Sequence, residues 1–403
     1  MTDNKSKDKF SARPPYLGYL YQGIYALYLI LRSENLNESI SIEKLDDIDF
    51  SGNKLVQMKH HVNEESLSDG SEDLWKTIRV WSEHLINGNI SLSDDLILTL
   101  ITTAKASEGH IAALLRDDTK RDPAEACKKL CEYAKLHSAK HKKDSKLKVA
   151  FDTFQKLTKT QLSELVKRIW IIDGSPDISE IPNKIKNMFH GIHLDHRDAV
   201  FERLMGWWES KISEHLQNES SVPISKFEVQ ETLAYIADEY KSDNLPSRYK
   251  DEKCSIDLEQ DSRRFVTHLK KITDLKKDRR VLERAILFFY RASLERYDWL
   301  ETKGLLKTNE ISDYEQRLRN EWEEQVEDVR HSRDDDFEDL EDTEKRKAGW
   351  DIFSKTRKLG IRIRQRVEGD YIMQGSYHIL ANEDKVAWHP DEILEILSTE
   401  END

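Results

Sequence analysis

The sequence predicts an α/β domain followed by a mainly helical region. Two short apolar segments, Leu96–Ala104 and Arg168–Asp173, are typical of buried strands. From Asp198 onward, apolar residues recur with a period of about 3.6 without strand signals, which indicates helices. The length of 403 residues suits two or three domains. We expect an α/β domain over residues 1–190 and a helical domain over residues 191–403.

Composition and short motifs exclude several protein classes. The net charge of −14 argues against a protein that coats nucleic acid non-specifically. The sequence has no apolar run of roughly 18 residues and no signal peptide at its polar N-terminus, so we expect a cytoplasmic protein without a membrane span. Cys127, Cys131 and Cys254 lack CxxC spacing, which fits a reducing compartment and argues against a zinc site. No GxxxxGK[ST] loop occurs, so an ATPase would be another chain.

The first domain begins with a helix, a hairpin and a second helix. Residues 16–31 are apolar and aromatic over a length that favours a buried helix, in which Gln22 is a lone polar group. Residues 39–50 alternate as a strand does, SGN forms a turn, and residues 54–62 form the second strand. Residues 66–86 open with serines and acids, which is typical of a helix start.

Five polar residues at the predicted hairpin form a candidate metal site. Glu43, Asp46 and Asp47 precede the turn, and Gln57 and Lys59 follow it. Because side chains alternate along a strand, Gln57 and Lys59 share a face, and the hairpin brings Asp47 near them. Magnesium prefers oxygen ligands, and a neighbouring lysine stabilises charge on a phosphate. The pattern would therefore supply the parts needed for Mg²⁺-dependent phosphodiester hydrolysis, with Mn²⁺ as the alternative ion.

The roles within this candidate site are not equivalent. Asp46 and Asp47 alternate in direction on a strand, so we expect one of them to reach the metal and favour Asp47. Gln57 and the other two acids are further candidate ligands. A structural interpretation stands beside this one: the acids end a strand, Lys59 is an edge-strand charge, and Gln22 is a satisfied buried amide. The isolated motif favours the structural interpretation.

A basic segment lies between two predicted helices. Lys135 to Lys148 reads KLHSAKHKKDSKLK, and its Lys140, Lys142 and Lys143 are candidate DNA contacts. A solvated loop is an equally good interpretation of this segment.

Four sequence blocks carry a family resemblance over residues 12–190. In chain order they are PPYLGYLYQGIYALYLIL, IEKLDDIDF, VQMKHH and SLSDGSEDLWKTIRVW. Together they resemble the double-stranded DNA endonuclease domain of bacterial CBASS effectors of the CD-NTase-associated protein four class. That domain is of the PD-(D/E)xK type, here in the variant with Gln in place of the second acid.

This resemblance implies a mixed sheet flanked by helices, as in restriction endonucleases, and a Mg-dependent endodeoxyribonuclease. It matches the core acid to Asp47, the polar-x-Lys pair to Gln57 and Lys59, and the helix glutamine to Gln22. These four residues are the implied catalytic set. Glu43 and Asp46 lie beside them as metal ligands in addition to Asp47 and Gln57.

A second resemblance concerns the C-terminal segment. Residues 361–392, which include DYIMQGSYHILANEDKVAWHPDE, contain Gly, His, Trp and Pro in a mixture that predicts a compact module of short strands or turns. The quoted stretch resembles the C-terminal domain of ABC-three-component bacterial systems. A nuclease of the above class joined to such a domain is similar to the nuclease subunits of Lamassu systems, the LmuA-like effectors of anti-phage and anti-plasmid defence.

The Lamassu resemblance implies a set of partners. It implies a bacterial cytoplasmic complex with an SMC-like ATPase (LmuB-like) and a small accessory subunit (LmuC-like), which restrains the nuclease until activation. It also implies double-stranded DNA as substrate, self-association on activation, and a C-terminal region that binds partners. No membrane is involved.

Two rival functions remain open at the level of sequence. One is a non-catalytic adaptor that binds DNA or a partner, with structural carboxylates. The other is a hydrolase acting on RNA, because metal chemistry acts on phosphate and no base-reading element is recognisable.

Overall fold

The chain divides into two compact units in the computed structural model, which describes residues 13–51, 53–61, 65–142, 144–218, 222–302, 304–333 and 335–400. One unit runs up to Ile236 and the other begins at Ala237. This division lies beyond the expected boundary at residue 190. The predicted fold class is confirmed: a mixed sheet flanked by helices precedes a helical region.

The first unit contains a six-stranded sheet with the order β5-β4-β3-β2-β1-β6. Its strands are β1 (Ser39–Ile42), β2 (Ile48–Phe50), β3 (Lys54–Lys59), β4 (Ile97–Thr102), β5 (Ile169–Ile172) and β6 (Ile224–Ser225). Strands β3, β4 and β5 are parallel, and the other neighbours are antiparallel. The pairing of β6 with β1 keeps the chain beyond residue 190 in this unit.

Helices of the first unit cover both faces of this sheet. They are α1 (Arg13–Arg32), α2 (Glu72–Ile86), α3 (Pro123–Ser138), α4 (Lys146–Gln155), α5 (Lys159–Lys167), α6 (Ile181–Asn187), α7 (Arg197–Gln217) and α8 (Lys226–Asp238), whose last residues enter the second unit. The segment EGHIAALL, which has a helical pattern, contains a short 3-10 helix at Ile111–Leu115.

The two faces of β3 have different neighbours. Leu55 packs with Leu98 and Leu100 of β4 and with Trp81 of α2 in one apolar core. Gln57 and Lys59 follow Leu55 at intervals of two, so alternation places them on this same face. On the opposite face, the His60 ring lies 4.7 Å from the Tyr21 ring of α1, measured between centroids. The sheet therefore separates α1 from the side that carries Gln57 and Lys59.

A continuous strand over residues 39–50 was the wrong prediction. β1 ends at Ile42 and β2 begins at Ile48. Glu43 adopts a left-handed backbone conformation with φ of 55°, and its N–H donates to the carbonyl of Asp47 at 3.1 Å. This turn reverses the chain, so the three acids lie on the connection between two antiparallel strands.

The second unit is helical throughout its regular elements. It contains α9 (Arg264–Ile272), α10 (Arg279–Tyr297), α11 (Thr308–His331), α12 (Asp342–Thr356), α13 (Asp370–Asn382) and α14 (Pro390–Glu400), with a π-helical turn at Asp298–Thr302. The last segment was predicted as short strands or turns; its described residues contain turns, but the strands were wrong, because Gly369 and Pro390 mark helix starts there. No helix among the described residues is both long and apolar enough to cross a bilayer.

Helices α10 and α13 pack closely through a glycine. A Cβ built on Gly375 would lie 2.2 Å from the carbonyl oxygen of Phe288 and 2.5 Å from the Cβ of Ala292. Backbone cannot yield as a flexible side chain does, so only glycine permits this approach.

The substitution Gly375→Ala is expected to destabilise the second unit by roughly 1–3 kcal/mol, because it overpacks a helix contact. Gly206→Ala in α7 is the matched control, since no atom lies within 4 Å of its added Cβ and alanine is the better helix former. Urea denaturation followed by circular dichroism measures both variants. Equal stability of the two variants would show that α10 and α13 are not in contact at Gly375.

Candidate active site

The β2–β3 hairpin brings the predicted acids to Gln57. Ile48 pairs with Val56, so Asp47 stands opposite Gln57 at the end of the ladder. Asp47 Oδ2 accepts a hydrogen bond from the Met58 N–H at 2.6 Å. Gln57 Nε2 donates to Asp46 Oδ1 at 2.7 Å. Two acids from the connection and one amide from β3 therefore form a single cluster.

Asp46 is the most enclosed acid of this cluster. It is 7% exposed, and its Oδ2 accepts from Trp81 Nε1 of α2 at 2.6 Å. Burial raises the pKa of Asp46 to about 7, against the opposing effect of the Trp81 hydrogen bond, and the neighbouring Asp47 charge adds to the rise. Both carboxylate oxygens of Asp46 are engaged, which fixes the Gln57 amide and leaves its Oε1 as the free end.

Lys59 is half-buried beside the two acids. Its Nζ donates to the carbonyl of Met58 at 3.0 Å. Burial lowers the pKa of Lys59, and the nearby Lys76 lowers it further, while Asp47, Asp73 and Asp46 oppose the change. The Lys59 ammonium therefore interacts electrostatically with both Asp46 and Asp47.

Glu43 lies at the exposed edge of the same cluster. Partial burial raises the pKa of this carboxyl, the Asp47 charge raises it further, and Lys59 opposes the rise. Glu43 is therefore an electrostatic neighbour of both Asp47 and Lys59, although no hydrogen bond of its side chain is described.

An ion pair that the sequence did not predict joins His61, two residues after β3, to Asp73 in the first turn of α2. His61 Nε2 lies 2.5 Å from Asp73 Oδ2, and His61 Nδ1 lies 3.0 Å from Glu65 Oε2. The hydrogen bond to Asp73 raises the pKa of His61. Burial pushes the pKa of Asp73 upward, but His61, Lys59 and Lys76 together hold it below its ordinary value. The sequence did contain a signal for these neighbours of Lys59. Asp73 and Lys76 are an acid and a lysine one turn apart at the start of α2, the helix that follows the strand with Gln57 and Lys59.

Gln22 lies apart from this cluster. It is half-buried on α1, which packs against α6, α7 and β1 on the other side of the sheet. Among the described residues, no hydrogen bond joins Gln22 to Asp47, Gln57 or Lys59. The structure thus places three of the four predicted catalytic residues together.

The predicted DNA-contacting lysines lie in the turn between α3 and α4. Lys140 and Lys142 are exposed there, and no acidic partner of either is found among the described residues. Lys143 lies outside the described residues. Their role in DNA binding stays a prediction.

A cleft of about 320 Å³ lies beside Asp73, between the first turns of α2 and α4. Its lining combines three basic side chains, Lys76, Arg79 and Lys146, with two acidic ones, Glu72 and Asp73. Lys146 belongs to the basic segment and its Nζ lies 3.9 Å from Glu72 Oε2. Since Asp73 and Lys76 also act on Lys59, this cleft adjoins the acidic cluster.

The donor atoms of the cluster suit magnesium. In the part of the chain that the structure describes, no three His, Cys, Asp or Glu side chains are already gathered as a metal site. Asp47 Oδ1, Gln57 Oε1 and the Glu43 carboxylate nevertheless have no hydrogen-bond partner among the described residues. Magnesium takes one or two carboxylates and completes its shell with water, so these oxygens fit it.

Comparisons with known proteins locate one domain. Residues 265–394 match the family described as C-terminal domain 7 of the ABC-three component (ABC-3C) systems. The chain carries this domain. It occupies most of the helical second unit.

Solved structures give a weaker likeness. A Cap4 SAVED/CARF-domain containing receptor of Acinetobacter baumannii matches with a TM-score of 0.31 and 16% identity, over 63% of this chain and 60% of that one. The same receptor with the cyclic trinucleotide 2'3'3'-cAAA matches with 0.31 and 13%, over 69% and 67%. No curated protein matches significantly. TM-scores of this size do not establish a common fold, so the site has to be argued from its own residues.

The substitution Asp46→Asn tests the buried carboxylate. Since the pKa of Asp46 rises to about 7 in the fold, the folded chain keeps the carboxyl proton up to a higher pH than the unfolded chain does. Wild-type stability is therefore lost as pH rises from about 4 to about 7. The Asn side chain does not ionise, so the variant does not lose this stability. We expect its free energy of unfolding, relative to that of wild type, to rise by about 1–3 kcal/mol as the pH goes from 5 to 8. Parallel pH profiles in denaturant unfolding would contradict a raised pKa at this position.

Proposed function

We propose that this chain is a Mg²⁺-dependent DNA endonuclease and the effector subunit of a bacterial ABC-three-component defence complex against phages and plasmids. The observation that carries the proposal is the cluster of Asp46, Asp47, Gln57 and Lys59 on one hairpin beside α2. The PD-(D/E)xK resemblance of the surrounding sequence supports DNA as the substrate.

Asp47 and Gln57 would hold the metal ion, with Glu43 as the third oxygen donor. The bound ion neutralises charge on the phosphate and lowers the pKa of a water. Lys59 lies two residues after Gln57, on the same face of β3. Its ammonium is desolvated there and would interact strongly with negative charge that develops on the phosphate. Asp46 is a positioning residue, because it holds the Gln57 amide through one hydrogen bond and is itself held by Trp81.

The cleft beside the cluster supports a path for the DNA backbone. Lys76, Arg79 and Lys146 line it next to Asp73. Phosphate contacts need local positive charge, and these three residues outnumber the two acids, Glu72 and Asp73, that line the same cleft. Lys140 and Lys142 precede Lys146 in the chain and would extend the same surface.

The C-terminal domain supports membership of a multi-subunit complex. We propose an SMC-like ATPase of the LmuB type as the restraining partner and a small LmuC-like subunit as the third component. Release from this complex would permit nuclease domains to associate, so that two sites cut both strands.

A non-catalytic adaptor is the second candidate function. The observation that favours it is the hydrogen bonding of the acids within the protein, since Asp46 uses both oxygens and Asp47 uses one on protein groups. In that case the cluster would only brace the hairpin against α2.

Lys59→Met is expected to lower magnesium-dependent plasmid cleavage at least a hundredfold, because it removes the ammonium that β3 places beside Asp46 and Asp47. Lys54→Met is the matched control, since Lys54 lies at the other end of the same strand, over the Phe50 ring. Cleavage is measured with the chain alone and with its co-expressed partners after activation.

Two outcomes separate the candidates. Equal cleavage by Lys59→Met and wild type would refute the assigned site. No magnesium-dependent cleavage by the activated wild-type complex would refute the nuclease and favour the adaptor.

A further inference from the structure

Three arginines line a pocket in the second unit. Arg280 and Arg284 lie one turn apart on α10, and Arg357 caps the C-terminus of α12. They line a space of about 150 Å³ whose lining includes no acidic residue. Among the described residues, no carboxylate pairs with any of the three.

Other arginines of this unit are paired with acids nearby in the sequence. Arg279, the immediate neighbour of Arg280, lies 2.8 Å from Glu283. Arg319 and Arg330 are likewise paired with Glu323 and Asp336 at 3.0 and 2.9 Å. An uncompensated group of three positive charges in an acidic chain favours an external anion.

Aromatic rings hold two of the guanidinium groups in place. Arg284 Cζ lies 4.8 Å from the centre of the Phe288 ring, and Arg357 Cζ lies 5.6 Å from that of Phe353. Cation–π contacts orient a guanidinium without neutralising it. Gln374 Nε2 donates to the Arg357 carbonyl at 3.0 Å, which ties the end of α12 to α13.

The inner wall of the pocket contains one buried polar ring for which the described residues supply no full set of partners. His378 is 3% exposed and lines the pocket, and its Nδ1 has no hydrogen-bond partner among the described residues. A smaller space of about 10 Å³ lies against the same His378 and against Trp388, whose Nε1 is also buried without a described partner. Buried polar groups are rarely left unpaired in a native protein, so the His378 ring, which lines the larger pocket, favours a bound polar species there.

We propose that this pocket binds the phosphate group of a small phosphorylated ligand. The planar forks of Arg280, Arg284 and Arg357 present donors in the geometry that suits phosphate oxygens, and a dianion matches three positive charges better than one carboxylate does. The volume accommodates the phosphate itself, and the rest of the ligand lies across Phe288 at the rim. The close contact of α10 with α13 at Gly375 keeps the arginines and His378 in register. The site is independent of the nuclease cluster, because all of its residues lie in the second unit.

Calorimetric titration of the full chain with inorganic phosphate and with AMP tests this site, at an ionic strength held constant with chloride. Arg284→Gln is expected to weaken the affinity for both probes about tenfold, because a charge-assisted hydrogen bond is lost. Arg279→Gln is the matched control on the same helix and should change the affinity less than twofold. Arg284 is exposed, so the variant should fold, which circular dichroism checks.

A second readout reports on the pocket directly. The ring signals of His378 in NMR spectra should shift on addition of phosphate in wild type and in Arg279→Gln, and not in Arg284→Gln. No binding of either probe by wild type would overturn the proposal, and so would equal weakening in the two variants. Loss of binding to an Asp- and Glu-rich peptide in Arg284→Gln, without any effect of phosphate, would assign the pocket to an acidic protein segment and likewise overturn it.

Discussion

The hydrogen bonds of the buried Asp46 carboxylate connect the separate parts of the candidate active site. One oxygen accepts from Gln57 on β3, and the other accepts from Trp81 on α2. These two bonds fix the connection between β1 and β2 against the helix that covers the sheet. They also fix the Gln57 amide, whose oxygen has no hydrogen-bond partner among the described residues. Without them, the oxygens assigned to the metal would have no common orientation.

Burial of the charged groups Asp46 and Lys59 has an electrostatic cost. A desolvated carboxylate near a second acid favours its protonated form, and the raised pKa of Asp46 reflects this. Lys59 is desolvated beside the same acids, which favours its neutral form. A divalent cation would relieve the repulsion between the acids. The cluster is therefore better suited to a bound ion than to an empty site, which favours the nuclease over the adaptor.

Local patterns predicted the parts of the site that lie within a few residues of one another. The alternation in β3 correctly indicated that Gln57 and Lys59 share a face, and the turn at residues 51–53 correctly indicated the hairpin. The turn at Glu43 was missed, because a run of apolar and acidic residues resembles a strand unless a left-handed residue interrupts it. The hydrogen bond of Trp81 to Asp46 was not predicted, since it joins positions 35 residues apart. The helix α13 was missed because Gly369 and Pro390 read as turn signals, although they mark the starts of helices.

The central claim is that Asp47 and Gln57 hold a divalent ion, and Mn²⁺ binding followed by electron paramagnetic resonance tests it without requiring activation by partners. The account predicts that wild type and Lys54→Met bind one ion per chain at this site with equal affinity, and that Asp47→Asn weakens this binding at least tenfold. Wild-type affinity in Asp47→Asn, or no bound Mn²⁺ in wild type, would contradict the account and leave the cluster as a structural brace.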